Sequence, residues 1–299
     1  MASKEQIDEA YNYMDSLFRL TFGEYADFSA AMYDGDFSRS LEDAQNAKHE
    51  YIFTNLRVTQ SCRVLDVGCG WGPVLMALKK RGIQGVGLTL SSKQAAACSR
   101  NGLEVYLTDW KNIPAGTYGR FNAIISAGSF EHFCSKEEFL HGKQESIYRQ
   151  FFKFCSELMV RGERLYLQTM LWGKDAPLPQ SISVHTKRGS NAYIVAVLEK
   201  LWPGSWLPLG EHQIIDCAQP LFSLVSSKNG RLDYIETMGQ WNRVWKPSAA
   251  KVLPALKTLA YVCRDLSFHY KLQALALSYN RECFQREIMD HQRMVFEKV

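Results

Sequence analysis

The stretch VLDVGCGWG, residues 64–72, decides how the rest of the chain is read. A short apolar run reaches an acid, Asp66, and gives way to Gly68, Gly70 and Gly72 at alternate positions. The run predicts a buried strand, and GPVLMALKKRG after it predicts a helix stopped by Gly82. Glycines at the junction let the backbone take positive φ and approach a ligand where a Cβ would block it. In an open α/β sheet such a ligand lies at the carboxyl ends of the strands.

Working outward, the pattern repeats. GVGLTL (85–90), EVYLTDW (104–110), FNAIISAG (121–128) and RLYLQTML (164–171) read as strands. SSKQAAACSRNG (91–102), capped by Ser91 or Ser92, and IYRQFFKFCSELM (147–159) read as helices. This alternation predicts an α/β fold with a doubly wound, mostly parallel sheet. One domain would span residues 1–299, with its cofactor-binding core at 58–171. Residues 1–57 would form a helical cover. Ile7, Ala10, Tyr11, Met14, Leu17 and Phe18 make one helical stripe there, and Ser40, with Asp43 three residues on, caps a helix running through about Asn55. A helix lying on a membrane surface would show the same stripe, so peripheral membrane contact stays open. Residues 172–220, rich in Trp, Pro and Gly around NAYIVAVLEKLW, are too long for a plain connection. They read as an inserted lid over the active-site edge or as a second small core. Residues 221–299 would return to the sheet at LFSLVSS, run through a helical tail from about 248 to 284, and close with QRMVFEK as a last strand.

Bulk properties narrow the function classes. The 299 residues are 46% hydrophobic and 22% charged, with a net charge of +4. That balance, with no dense Lys/Arg block, does not point to nucleic acid. No signal-peptide core opens the chain, and no apolar run approaches the roughly 20 residues that cross a bilayer. The eight cysteines form no CxxC pair, so reduced thiols in a cytoplasmic protein are expected, and no zinc site.

The glycine spacing G-x-G-x-G differs from the dinucleotide fingerprint G-x-G-x-x-G, and the second strand ends Leu88-Thr89-Leu90 without an acid for a ribose. A hydroxyl would have to take that contact. Asp109-Trp110 offers a polar group and a ring to an adenine. The set suits S-adenosylmethionine, with Asp66 facing the methionine ammonium; an NAD site remains the alternative for the loop taken alone. A second stretch, SAGSFEHF (126–133), places Glu131 and His132 between phenylalanines just after the fourth strand. Metal binding, acid–base chemistry and helix capping compete for this pair. No second histidine at ligand spacing accompanies His132, so a hydrogen-bonding role is expected and no metal.

EYADFSAAMY (24–33), SLEDAQNAK (40–48), VLDVGCGWG, GLTLSSKQ (87–94), TDW (108–110), SAGSFEHF, LQTM (167–170) and DYIETMGQW (233–241) occur together and in order. In them the chain resembles the cyclopropane-fatty-acid synthase and mycolic-acid methyltransferase family of S-adenosylmethionine enzymes. The resemblance implies a Rossmann-like class I methyltransferase fold and cofactor contacts from Phe28, Ser29, Gly68, Gly70, Thr89, Leu90, Gln94 and Trp110. Asp66, Asp109 and Ala127 complete the expected cofactor set. In that family a Cys, a Glu, a His and a Tyr hold a bicarbonate that accepts a proton during ring formation. Glu131 and Tyr234 match two of them, whereas Ala30 and Gln168 stand where the Cys and His would be. Losing a thiol and an imidazole weakens an anion pocket, although Gln168 still offers an amide. The resemblance therefore implies methyl transfer without bicarbonate, to a free fatty acid or similar lipid acid, with Glu131, Gln168 and Tyr234 at the acceptor. Trp172, Trp202 and Trp206 would cover the acceptor's tail. C-methylation or cyclopropanation of an unsaturated acyl chain is the alternative acceptor chemistry, and a non-catalytic lipid- or partner-binding protein the alternative of another class.

Overall fold

The computed structural model describes Asp15, Arg19 and residues 26–114, 116–202, 204–244, 252 and 278–299. The apolar stripe at residues 4–20, with its membrane reading, and most of the helical tail lie outside the described residues. Among those described, no helix is long and apolar enough to cross a membrane.

Seven strands form one sheet. They are β1 Arg63–Val67, β2 Gln84–Thr89, β3 Glu104–Leu107, β4 Ala123–Ala127, β5 Arg164–Trp172, β6 Phe222–Asn229 and β7 Met289–Lys298. Their order is β3-β2-β1-β4-β5-β7-β6. The first five run parallel, and β7 is inserted antiparallel to both β5 and β6. The order reverses beside β1, whose neighbours are β2 and β4, and this switch point opens a crevice at the strand ends. The last strand expected from QRMVFEK is β7, and LFSLVSS is β6.

The described helices are α1 Leu41–Asn55, α2 Pro73–Lys80, α3 Ser92–Arg100, α4 Lys136–Leu140, α5 Gln144–Leu158, α6 Asn191–Leu201, α7 Glu211–Ala218, α8 Arg231–Val244 and α9 Ser278–Gln285. Ser40 and Ser91 cap α1 and α3, accepting from Asp43 N and Gln94 N. Burial on both faces explains why the central strands read as unbroken apolar runs. Leu65, Val67 and Ile124 pack against Phe151, Phe152 and Cys155 of α5 on one side. Val64, Ala123 and Ile125 pack against Ile52, Val74 and Leu78 on the other. Six of the seven described cysteines are buried free thiols.

Several expectations need correction. The third strand stops at Leu107, and Asp109 caps a single 3-10 turn at Trp110–Asn112. The helix expected at 147 begins one turn earlier, at Gln144. Residues 172–220 divide: α6 faces the crevice, while Ile214, Cys217 and Ala218 of α7 join the core around α5. Short α4, with a Ser135/Glu138 capping box, was not anticipated.

Candidate active site

Two adjoining cavities open at the carboxyl end of the sheet. The first encloses about 970 Å³ of space, including its mouth, and is lined by all eleven residues expected at the cofactor: Phe28, Ser29, Asp66, Gly68, Gly70, Thr89, Leu90, Gln94, Asp109, Trp110 and Ala127. The second, about 1080 Å³ including its mouth, is lined by Glu131, Gln168 and Tyr234, with Ala30 among its walls. Phe28, Ser29, Gly128 and His132 border both.

The glycine loop builds the floor of the first cavity. Gly68 has φ +84°, and a Cβ there would lie 2.3 Å from Ser129 Cβ. Ser129 Oγ in turn donates to Val67 O at 2.7 Å, tying the exit of β4 to that of β1. Gly70, at φ +56°, has no atom within 4 Å of where its Cβ would stand, so its backbone meets open space. Trp71 Nε1 donates to Asp15 Oδ1 at 2.7 Å, bringing Asp15 to this loop.

Asp66 is buried, and burial together with the charge of Asp27, opposed by Lys48, raises its carboxyl to about 7. No hydrogen bond contributes to that balance. A buried acid with no local donor suits a cationic ligand group, and the Cβ-free floor suits close backbone approach, so the residues fit S-adenosylmethionine. Two details differ from the sequence expectation. Thr89 Oγ1 donates to Gln94 Oε1 at 2.8 Å and accepts from Ser91 N, so its proton is not directed at a ribose and Gln94's amide is the remaining donor. Trp110 lines the cavity but is buried among Phe133, Phe151 and Phe154, and Asp109 Oδ1 accepts from Lys111 N.

The loop carrying Phe28 and Ser29 is held by a network that the sequence reading missed. Lys48, fully buried on α1, donates to Asp27 Oδ1 and Oδ2 at 2.7 and 2.8 Å, Ser29 Oγ at 2.7 Å and Gln45 Oε1 at 2.6 Å. His49 Nε2 lies 3.0 Å from Asp27 Oδ2. Burial alone would raise the Asp27 carboxyl; Lys48 and His49 outweigh it and hold it well below the usual range. The only sequence signal was the block SLEDAQNAK, which matched the family without revealing a partner. Further along, buried Arg293 of β7 donates to Asp233 Oδ2 at 2.7 Å and Ala31 O at 2.6 Å, fixing the other end of the loop.

In the second cavity Glu131 and His132 separate in role. Glu131 is buried and accepts from Thr169 Oγ1 at 3.1 Å; burial raises its carboxyl to about 7 against that bond and its own backbone N–H. His132 lies 2.7 Å from Ser205 Oγ through Nδ1, and burial lowers it to about 4, so it is neutral at physiological pH. Among the described residues no cluster of three potential metal ligands occurs. Gln168 Oε1 accepts from Tyr166 at 2.8 Å and its Nε2 donates to Ala30 O at 3.3 Å. An amide nitrogen carries two protons, which leaves one for the chamber. Trp172 and Trp202 line the chamber, but Trp206 stands behind it, stacked on Phe139. Lys136 of α4 pairs with Glu199 of α6 at 3.2 Å beside the chamber wall.

The family model for mycolic acid cyclopropane synthetase matches residues 1–280. The chain is 27% identical over 212 residues to cyclopropane mycolic acid synthase 2 of Mycobacterium leprae, covering 68% of this chain and 67% of that protein. It is 24% identical over 269 residues to hydroxymycolate synthase MmaA4 of Mycobacterium tuberculosis, covering 86% and 83%. Among solved structures, mycolic acid cyclopropane synthase CmaA1 complexed with SAH and CTAB superposes with a TM-score of 0.74 at 23% identity, covering 99% of this chain and 98% of that one.

Proposed function

Because the chain belongs to the mycolic acid cyclopropane synthetase family and is an S-adenosylmethionine-dependent methyltransferase, we propose that its acceptor is the carboxyl group of a fatty acid or similar lipid acid. Family membership sets aside the non-catalytic reading. The observation that carries the proposal is the second cavity: an apolar chamber that holds Glu131, Gln168 and Tyr234 and shares the wall of Phe28, Ser29, Gly128 and His132 with the cofactor cradle. Met170, Trp172, Val195, Leu198 and Met238 give that chamber the surface an acyl tail needs.

The bound cofactor supplies an electrophilic methyl group on a sulfonium. The protein's part is to place and desolvate a nucleophile that already carries a lone pair. Phe28, Ser29 and Gly128 form the border across which acceptor and cofactor face each other. Glu131 answers the objection that two carboxylates repel. With its carboxyl raised to about 7, its protonated form donates to the acceptor's oxygen instead of opposing it. Gln168 contributes its remaining amide proton, and Ala30 leaves room where a larger side chain would stand. Trp172 and Trp202 exclude water.

A second reading, C-methylation or cyclopropanation of an unsaturated acyl chain, is supported by the relatives' names and by Glu131 and Tyr234 both lining the chamber. One experiment separates them: incubation with methyl-labelled S-adenosylmethionine and a mixture of saturated and unsaturated fatty acids, followed by mass spectrometry. Label in a base-labile methyl ester is expected. Label only on chain carbons would overturn the carboxyl assignment.

A further inference from the structure

β7 brings a second imidazole to the acceptor chamber. His291 lines that cavity, is 2% exposed, and stands opposite Met170 of β5 in the antiparallel ladder, one ladder step of two residues from the Gln168/Arg293 pair. Side chains two apart on a strand share a face, so His291, Met170 and Gln168 all project to the chamber side of the sheet. Tyr234 of α8 packs edge-on against the imidazole, ring centroids 5.1 Å apart.

The ring's two nitrogens meet different surroundings. Nδ1 is buried with no hydrogen-bond partner among the described residues. It is pressed against Gly230: a Cβ built there would lie 2.5 Å from His291 Nδ1 and 2.4 Å from Arg293 Nη1. Nδ1 therefore shares a crowded corner with a guanidinium that is itself held by Asp233. Beside a cation, a lone pair is favoured over an N–H. Burial first, then the positive charges of Arg293 and Lys48, keep the imidazole neutral. A neutral ring with its lone pair at Nδ1 carries its proton at Nε2, the nitrogen turned away from that corner. Nδ1, closed in by that corner, stays unpaired, so Nε2 is the nitrogen left to meet a ligand in the chamber that the ring lines.

We propose that His291 binds the acceptor's head group, donating a hydrogen bond from Nε2 to an oxygen of the carboxyl that Glu131, Gln168 and Tyr234 also face. The assignment rests on the lipid-acid reading above and adds a residue from the last strand, which no motif in the sequence singled out. Because the donor is uncharged, it orients the acceptor without quenching the oxygen's nucleophilicity as an ammonium or guanidinium would. The same contact selects acceptors that present an oxygen at this depth over plain hydrocarbon chains.

The test uses the full-length enzyme with His291→Phe and His291→Gln. Loss of one such bond should raise the KM for a fatty acid about ten- to a hundredfold in His291→Phe. His291→Gln, which keeps an N–H donor, should recover part of that loss. S-adenosylmethionine affinity by calorimetry should be unchanged in both, which also reports that the cofactor site is folded. Independently of any variant's activity, the ¹⁵N spectrum of histidine-labelled wild-type enzyme should contain a neutral imidazole protonated at Nε2, absent from His291→Gln, whose shift moves when fatty acid is added. If wild type methylates fatty acids and His291→Phe keeps the same KM and kcat, the assignment of His291 fails while the acceptor reading stands. An Nδ1-protonated ring at this position overturns it equally. If wild type forms no ester with any fatty acid, the acceptor reading fails and takes this one with it.

Discussion

Replacing Lys48 with Met should be among the most damaging single changes outside the cavities. The ammonium has no exposure to water and four oxygen partners within 2.8 Å, three of them on the segment Asp27–Ser29. Methionine matches the stem's volume, so little packing is lost and the electrostatic term dominates. What remains is a largely buried Asp27 carboxylate supported, among the described residues, by His49 and the Ser29 hydroxyl. Breaking a buried pair from one side costs about 3–5 kcal/mol, because the surviving charge is uncompensated. Urea unfolding at pH 7 should show that loss for Lys48→Met. Asp27→Asn alone should also destabilise, by stranding the ammonium, and Asp27→Asn/Lys48→Met should be more stable than additivity predicts by about 2 kcal/mol or more. The acid limb gives a second readout. Asp27 is held below its ordinary value of 3.8, so its contribution is present above about pH 4 and is lost as pH falls toward the depressed native value. Without Lys48 the native carboxyl rises and that limb flattens. Phe28 and Ser29 border both cavities, so cofactor affinity should fall with stability. A Lys48→Met protein within 1 kcal/mol of wild type, or a double mutant that is merely additive, would refute the argument that this network holds the loop.

Gly68→Ala puts a Cβ 2.3 Å from Ser129 Cβ at φ +84°, so calorimetry should find cofactor binding abolished and the melting transition lowered by at least about 2 kcal/mol of stability. Asp66 has a native value near 7, raised from 3.8, so the stability it contributes in its protonated form is complete below about pH 4 and lost as pH rises through 7. Pairing with a ligand ammonium reverses that loss; S-adenosylmethionine affinity should rise as pH passes from 6 to 8, and Asp66→Asn should remove the slope. Gln168→Ala should cut turnover far more than cofactor affinity, and should also lower stability by about 1–3 kcal/mol because Tyr166 and Ala30 O lose their partner. Equal losses of turnover and cofactor binding would contradict its place on the acceptor side.

The glycine loop, the strand–helix alternation and the residues flanking both were legible in the chain because they are local. An acid followed by alternate glycines requires a particular turn at a strand end, and periodicity reports which residues a strand or helix buries. From these came the parallel sheet and the crevice at its carboxyl ends; the resemblance to the family added Phe28, Ser29, Leu90 and Gln94 to the residues that line one cavity there. What no local pattern carries is which distant segments meet. Folding sets Lys48 of α1 under Asp27, turns the Thr89 hydroxyl toward Gln94, and sends Glu131 to Thr169 while its neighbour His132 reaches Ser205. It also slides β7 between β5 and β6, placing His291 opposite Met170 although 121 positions separate them in the chain. Hydrogen-bond partners and burial are properties of the assembled interior. The sequence alone marked the strand end where a cofactor cradle is expected; only the tertiary structure decided which side chains share the second cavity and how burial shifts their protonation.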